Sequence, residues 1–126
     1  MKSLVLSLFV LLIFSGFQQN PWKANESALN IENPIKNDKS SIEKGKKIFN
    51  NLCWSCHGKE GKGNGPASTA LKFKPADFTS EIIQKQVDGE LFWKISEGRG
   101  SMAAYKNSLT TTQRWQLVNF IRTFKK

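Results

Sequence analysis

The residues with chemistry to offer sit almost side by side. Cys53 and Cys56 are the two cysteines of the 126-residue chain and His57 is its one histidine, in the run Cys53-Trp54-Ser55-Cys56-His57. Two thiols at this spacing can each add to one vinyl group on the same edge of a porphyrin. A histidine directly after the second thiol then lies under the iron, and C-x-x-C-H is the attachment motif of a c-type haem. The same inventory excludes a two-histidine zinc site and a bis-histidine haem. Met102 is the one methionine besides Met1, so it is the sole thioether available as a second axial ligand once the first residue leaves with a leader.

Other readings of the motif compete. A disulfide between Cys53 and Cys56 closes too short a loop to add much stability, and it gives His57 no task. A thioredoxin-like dithiol needs a βαβ setting, and the flanking pattern is helical. Zinc asks for four ligands where the motif offers three. The nearby Gly58, Gly61, Gly63 and Gly65 superficially resemble a phosphate loop, but no strand precedes them and no G-K-[ST] follows. They are expected instead to let the backbone pass close to a flat ligand.

The elements that must position these residues read as helices. Ser40 and Glu43 form a capping box for a helix over 40–51, with Ile42, Gly45, Ile48, Phe49 and Leu52 as its buried stripe. Pro66 suits the start of a short helix reaching Leu71. Two more are expected at 80–86 and 88–97, the second capped by Asp88 and stopped by Gly98. Thr110 and Gln113 cap a last helix whose inward face is Trp115, Leu117, Val118, Ile121 and Phe124. No period-two alternation and no internal repeat is present. The expected class is all-α: a small domain of about four to five helices wrapped around one covalently bound haem.

Three stretches divide the chain. Residues 1–17 read as a signal peptide or N-terminal anchor, with Lys2 before an apolar run too short for an ordinary membrane span. Residues 18–39 read as a polar linker in which Trp22 stands out, and 40–126 form the domain. The expected location is therefore periplasmic or otherwise extracytoplasmic, with membrane tethering open. Lys and Arg number 19 against 10 Asp and Glu, a formal charge of +9. Such a balance suits partners with acidic docking surfaces or anionic lipid headgroups. Nucleic acid is not expected, because no helix carries a basic stripe interleaved with aromatics.

From about Ser41 to Lys126 the chain resembles the class I (monohaem) cytochrome c family. The resemblance rests on Gly45-Lys46-Lys47-Ile48-Phe49, Cys53-Trp54-Ser55-Cys56-His57-Gly58, Gly65-Pro66, Met102, and Leu117-Val118-Asn119-Phe120-Ile121. It implies a haem c bound through Cys53 and Cys56, with His57 and Met102 as iron ligands. It also implies first and last helices crossing near Gly45 and Phe120, and a Pro66 carbonyl that accepts the Nδ1 proton of His57. In the family a proline often follows the ligand methionine, whereas Ala103 stands here, so ligation by Met102 is expected to be weaker or more labile, or replaced by a lysine at high pH. Arg99, Trp93 and Tyr105 are candidate propionate partners.

The expected function is one-electron transfer by a monomeric carrier rather than an enzyme. Two alternatives stay open: a haem-bearing subunit of a membrane oxidoreductase, and an open-site haem protein that binds a gas or peroxide.

Overall fold

A computed structural model describes residues 21–126. The leader at 1–17 and the first linker residues lie outside the described residues. Within them the chain is helical and forms no strand. The elements run α1 (Glu26–Leu29), α2 (Lys39–Leu52), α3 (Trp54–His57), a 3-10 turn at Ser68–Ala70, α4 (Glu81–Gln84), α5 (Asp88–Glu97) and α6 (Thr111–Arg122). No helix among the described residues is long and apolar enough to cross a membrane.

The main packing is α2 against α6. Residues three and four apart on each helix share a face, so Gly45 and Phe49 of α2 meet a nearly continuous buried run from Trp115 to Ile121 on α6. Gly45 sets the closeness of the crossing. A Cβ there would overlap the Gln116 carbonyl and come 2.9 Å from Cβ of Phe120. Phe49 sits at the centre, fully buried, with the rings of Phe78, Phe120 and Phe124 at centroid distances of 6.2, 5.2 and 5.5 Å. Burying one such side chain contributes roughly 1.5–3 kcal/mol.

Capping departs from the sequence expectation at two helices and matches it at a third. Helix α2 is capped by Asp38, whose side chain accepts from the Ser41 N–H at 2.9 Å, and not by Ser40. Asp88 is the first residue of α5 and not its cap, because Arg122 and Asn33 take its carboxylate. At α6 the Thr110–Gln113 capping box forms in both directions. Leu52, expected in the α2 stripe, is 44% exposed at the end of the helix. The stretch from Pro66 closes only a 3-10 turn.

Residues 21–38 lie against the domain as a strap. Ala28 of α1 is fully buried against α5, where Gly89 leaves room for the Ala28 and Ile31 carbonyls. Further along, buried Asn119 of α6 accepts from the Asn33 amide at 2.7 Å and donates to the Ser41 hydroxyl at 2.7 Å. The strap is thereby tied to both principal helices.

Candidate cofactor site

Cys53 ends α2, and its carbonyl accepts from the N–H groups of Cys56 and His57 at 3.3 and 2.9 Å. The four-residue α3 is thus a tight turn that presents Cys53, Cys56 and His57 together. Gly58 stops it at φ +79°, a backbone conformation open to glycine at little cost. The loop then folds back on the motif. N–H groups of Gly63, Gly65 and Ala67 reach the carbonyls of His57, Cys56 and Ser55 at 2.8, 3.0 and 2.8 Å.

That return path packs the glycines on protein: a Cβ would meet the Asn64 side chain at Gly58, the Phe124 ring at Gly61, the Pro75 carbonyl at Gly63 and the Ser55 carbonyl at Gly65.

His57 Nδ1 lies 3.2 Å from the carbonyl oxygen of Ala76, so Ala76 and not Pro66 occupies the acceptor position. A carbonyl oxygen only accepts, so Nδ1 carries the proton and Nε2 keeps its lone pair. Burial also pushes the His57 pKa below its ordinary value, the hydrogen bond to Ala76 opposing in part. The ring is stacked on Phe78 with centroids 4.5 Å apart. Phe78 is in turn anchored by its N–H to the Gly61 carbonyl at 2.7 Å. Neither Ala76 nor Phe78 is singled out by sequence. Pro75-Ala76-Asp77 carries one local signal, an Asp77 side chain that accepts from the Thr79 N–H and hydroxyl at 2.8 and 2.7 Å.

Met102 is held by a different device. After α5 the chain turns at Gly98 (φ +63°) and Gly100 (φ +57°), and Arg99 and Met102 exchange two backbone hydrogen bonds of 3.0 Å each. The result is a miniature hairpin, pinned to α5 by the Tyr105 N–H on the Ile95 carbonyl at 3.1 Å.

Cys53, His57 and Met102 line one apolar cleft with Phe49, Phe78, Ile95, Tyr105, Leu117 and Ile121. Leu91 and Phe120 are buried in the core alongside. Tyr105 donates its hydroxyl to the Leu52 carbonyl at 3.3 Å. Of the other propionate candidates, Trp93 packs on Trp22, and Arg99 lies over the Trp22 and Phe73 rings.

Cys53 and Cys56 are not joined to each other as a disulfide. Burial, with the neighbouring Cys56 adding to it, pushes the Cys53 thiol up to about 12. The donor set is therefore two thiols on one turn, a neutral imidazole with a free lone pair, and a thioether, with Cys53, His57 and Met102 bordering the apolar walls. That set fits a haem c and gives a hydrated divalent ion little to bind.

The comparisons with known proteins agree. Among solved structures, the chain is similar to the reducing HAO-like protein complex Kustc0457/Kustc0458 of Kuenenia stuttgartiensis, at 26% identity and a TM-score of 0.69 over 76% of this chain. It spans half the length of that relative. It is similar to the c-type cytochrome KustC0563 at 30% identity and a TM-score of 0.57, over 65% of this chain and 98% of the other. Cytochrome cL of Methylophaga aminisulfidivorans matches at 26% identity and a TM-score of 0.54, over 68% of this chain and 56% of the other. No curated protein matches the chain. The cytochrome c family pattern matches residues 42–125, from the first turn of α2 to the end of the domain. The chain belongs to the cytochrome c family, for which covalently bound haem c and haem-based electron transfer are characteristic.

Proposed function

We propose that the protein is a one-electron carrier working outside the cytoplasm, with His57 and Met102 as the two axial ligands. The observation that carries this reading is the placement of Met102 on the same apolar cleft as His57 and Cys53. When bound, the haem supplies the one-electron iron couple. The residues of the chain do the rest. Ala76 holds the His57 proton at Nδ1 and leaves Nε2 for the metal. Phe49, Phe78, Ile95, Leu117 and Ile121 keep water from the cleft. Thioether ligation raises the potential and leaves no position open for a gas or peroxide.

The exchange partner is a redox protein with an acidic docking surface. Supporting this is the formal charge of +9, with Lys46 and Lys59 flanking Trp54 in a groove beside the cysteine motif. Lys59 lies 5.4 Å from the Trp54 ring centroid. Such encounters bury little area and dissociate readily.

A second reading, a haem-bearing subunit of a larger oxidoreductase, is favoured by the similarity to a reducing HAO-like protein complex. Co-purification with membranes or with a second polypeptide would select it; a soluble monomer selects the free carrier.

The test of ligation is optical. The matured protein should be low-spin in both oxidation states, show the methionine–iron charge-transfer band when ferric, and bind carbon monoxide only slowly when ferrous. Ready carbon monoxide binding by the unaltered protein would remove Met102 from the iron.

A further inference from the structure

We propose that Trp22, at the start of the strap, is a positioning residue for Met102, acting through Arg99. The inference rests on the reading of Met102 as an axial ligand.

The loop that presents Met102 has few constraints of its own. It is flanked by two positive-φ glycines, Gly98 and Gly100, and followed by Ala103 and Ala104, both exposed. Its geometry is set by the paired hydrogen bonds between Arg99 and Met102. Whatever holds Arg99 therefore holds Met102.

The Arg99 guanidinium has no carboxylate partner among the described residues. It lies instead over two aromatic rings, 5.0 Å from the centroid of Trp22 and 5.5 Å from that of Phe73. Trp22 is itself braced from α5: its ring meets Trp93 edge-on at 6.4 Å, and Lys94 Nζ lies 5.7 Å from its centroid. Lys94 is buried and fixed by Glu90 at 2.6 Å and Gln86 at 2.8 Å. A chain of contacts thus runs from α5 through Trp22 to Arg99 and on to the Met102 backbone. The strap that carries Trp22 is separately anchored at Ala28 and Asn33. It acts as a clamp over a loop that lacks the stiffening proline.

A single exposed cation–π contact shifts an equilibrium by about 2–5-fold, and more where it is partly desolvated. Trp22→Ala should accordingly raise the rate at which carbon monoxide displaces Met102 in the ferrous protein by roughly 3–30-fold. It should also lower the pH at which the ferric charge-transfer band is lost. Trp22→Phe, which keeps a ring face, should restore part of the effect. Arg99→Ala should reproduce Trp22→Ala, and the double variant should be no worse than either single one, since both break the same link.

The experiment is a stopped-flow carbon monoxide series on the holo-protein for wild type, these variants and Met102→Ala, at a temperature where melting curves show all of them folded. Slow binding in wild type, fast binding in Met102→Ala, and an accelerated Trp22→Ala coupled to Arg99→Ala support the proposal. A Trp22→Ala protein that behaves as wild type, or effects that simply add, overturns it while leaving the ligand assignment standing. Wild type that binds as fast as Met102→Ala overturns both.

Discussion

Nδ1 of His57 lies 3.2 Å from the carbonyl oxygen of Ala76, a contact that joins the cysteine motif to a loop nineteen residues further on. The loop holds its carbonyl in place by two means. The Phe78 N–H is bonded to the Gly61 carbonyl, and the Asp77 side chain closes a turn onto Thr79. The imidazole is thus oriented by its own Nδ1 proton, and its basicity depends on how firmly Ala76 is held.

Asp77→Ala removes both bonds to Thr79 without touching His57. A looser acceptor makes the imidazole a weaker donor, destabilises the ferric state, and raises the reduction potential. A change of about 0.5–1 kcal/mol in one hydrogen bond corresponds to roughly 20–40 mV at 59 mV per tenfold. Spectroelectrochemical titration reads this directly, and an unchanged potential would show that Asp77 does not govern the contact. The pH dependence has a definite sign. The Thr79 hydroxyl and N–H hold the Asp77 carboxyl below its ordinary 3.8, so the stability it contributes is present above that value and lost as pH falls through the lower folded value. Wild type and Asp77→Ala should therefore differ in melting temperature at pH 6 and converge as the pH falls progressively below 3.8.

Gly45→Ala tests the crossing of α2 and α6. Alanine improves helix propensity by about 1 kcal/mol. Here the new Cβ would overlap the Gln116 carbonyl, a backbone atom held within α6, and press on Phe120. Overpacking against backbone costs about 2–3 kcal/mol or more, so the clash outweighs the propensity. The net loss should lower the melting temperature of this small domain by roughly 5–15 °C. A melting temperature at or above that of wild type would mean that the helices can part at no cost.

Asn119→Ala tests how the strap is fastened. The change removes the buried partner of the Ser41 hydroxyl and leaves the Asn33 amide with Asp88 alone, at a cost of about 1–3 kcal/mol. Hydrogen exchange should locate the effect. Amides at Ala28 and Ile35 should exchange faster than in wild type under conditions where the centre of α6 remains protected. Uniform acceleration would instead mark a global loss.

The residues that act through local chemistry were legible before the structure. The Thr110–Gln113 box needs only four consecutive positions, and both halves of it form. The C-x-x-C-H run is likewise a local motif. What escaped was set by distant partners. Asp38 and Ser40 offer equally good caps by local pattern; Asp38 takes the position in a helix that places Ser41 against Asn119 of α6, a residue remote in sequence. Asp88 looks like a cap until Arg122, also remote, claims its carboxylate. Ala76 contributes only a backbone carbonyl, which any residue type possesses, so no side-chain pattern could have separated it from Pro66. Trp22 stood out by type, but its role depends on where Arg99 lies.

Gly98→Ala probes the hairpin that carries Met102. Gly98 has φ +63° and ψ 175°, a combination essentially confined to glycine. A Cβ there would also overlap the carbonyl of Met102 and come 2.6 Å from that of Ala103. Strain of about 1–3 kcal/mol falls on the two bonds between Arg99 and Met102, because the rest of α5 is held by the core. The ferric charge-transfer band should weaken and ferrous carbon monoxide binding should accelerate, with the melting temperature falling less than in Gly45→Ala. Gly100→Ala is the control. Its φ is +57°, but the nearest atom to a new Cβ is a Phe73 ring carbon at 3.8 Å, an ordinary contact. That variant should retain most of the band. If Gly98→Ala keeps the band at wild-type strength, the hairpin is not what holds Met102 at the cleft.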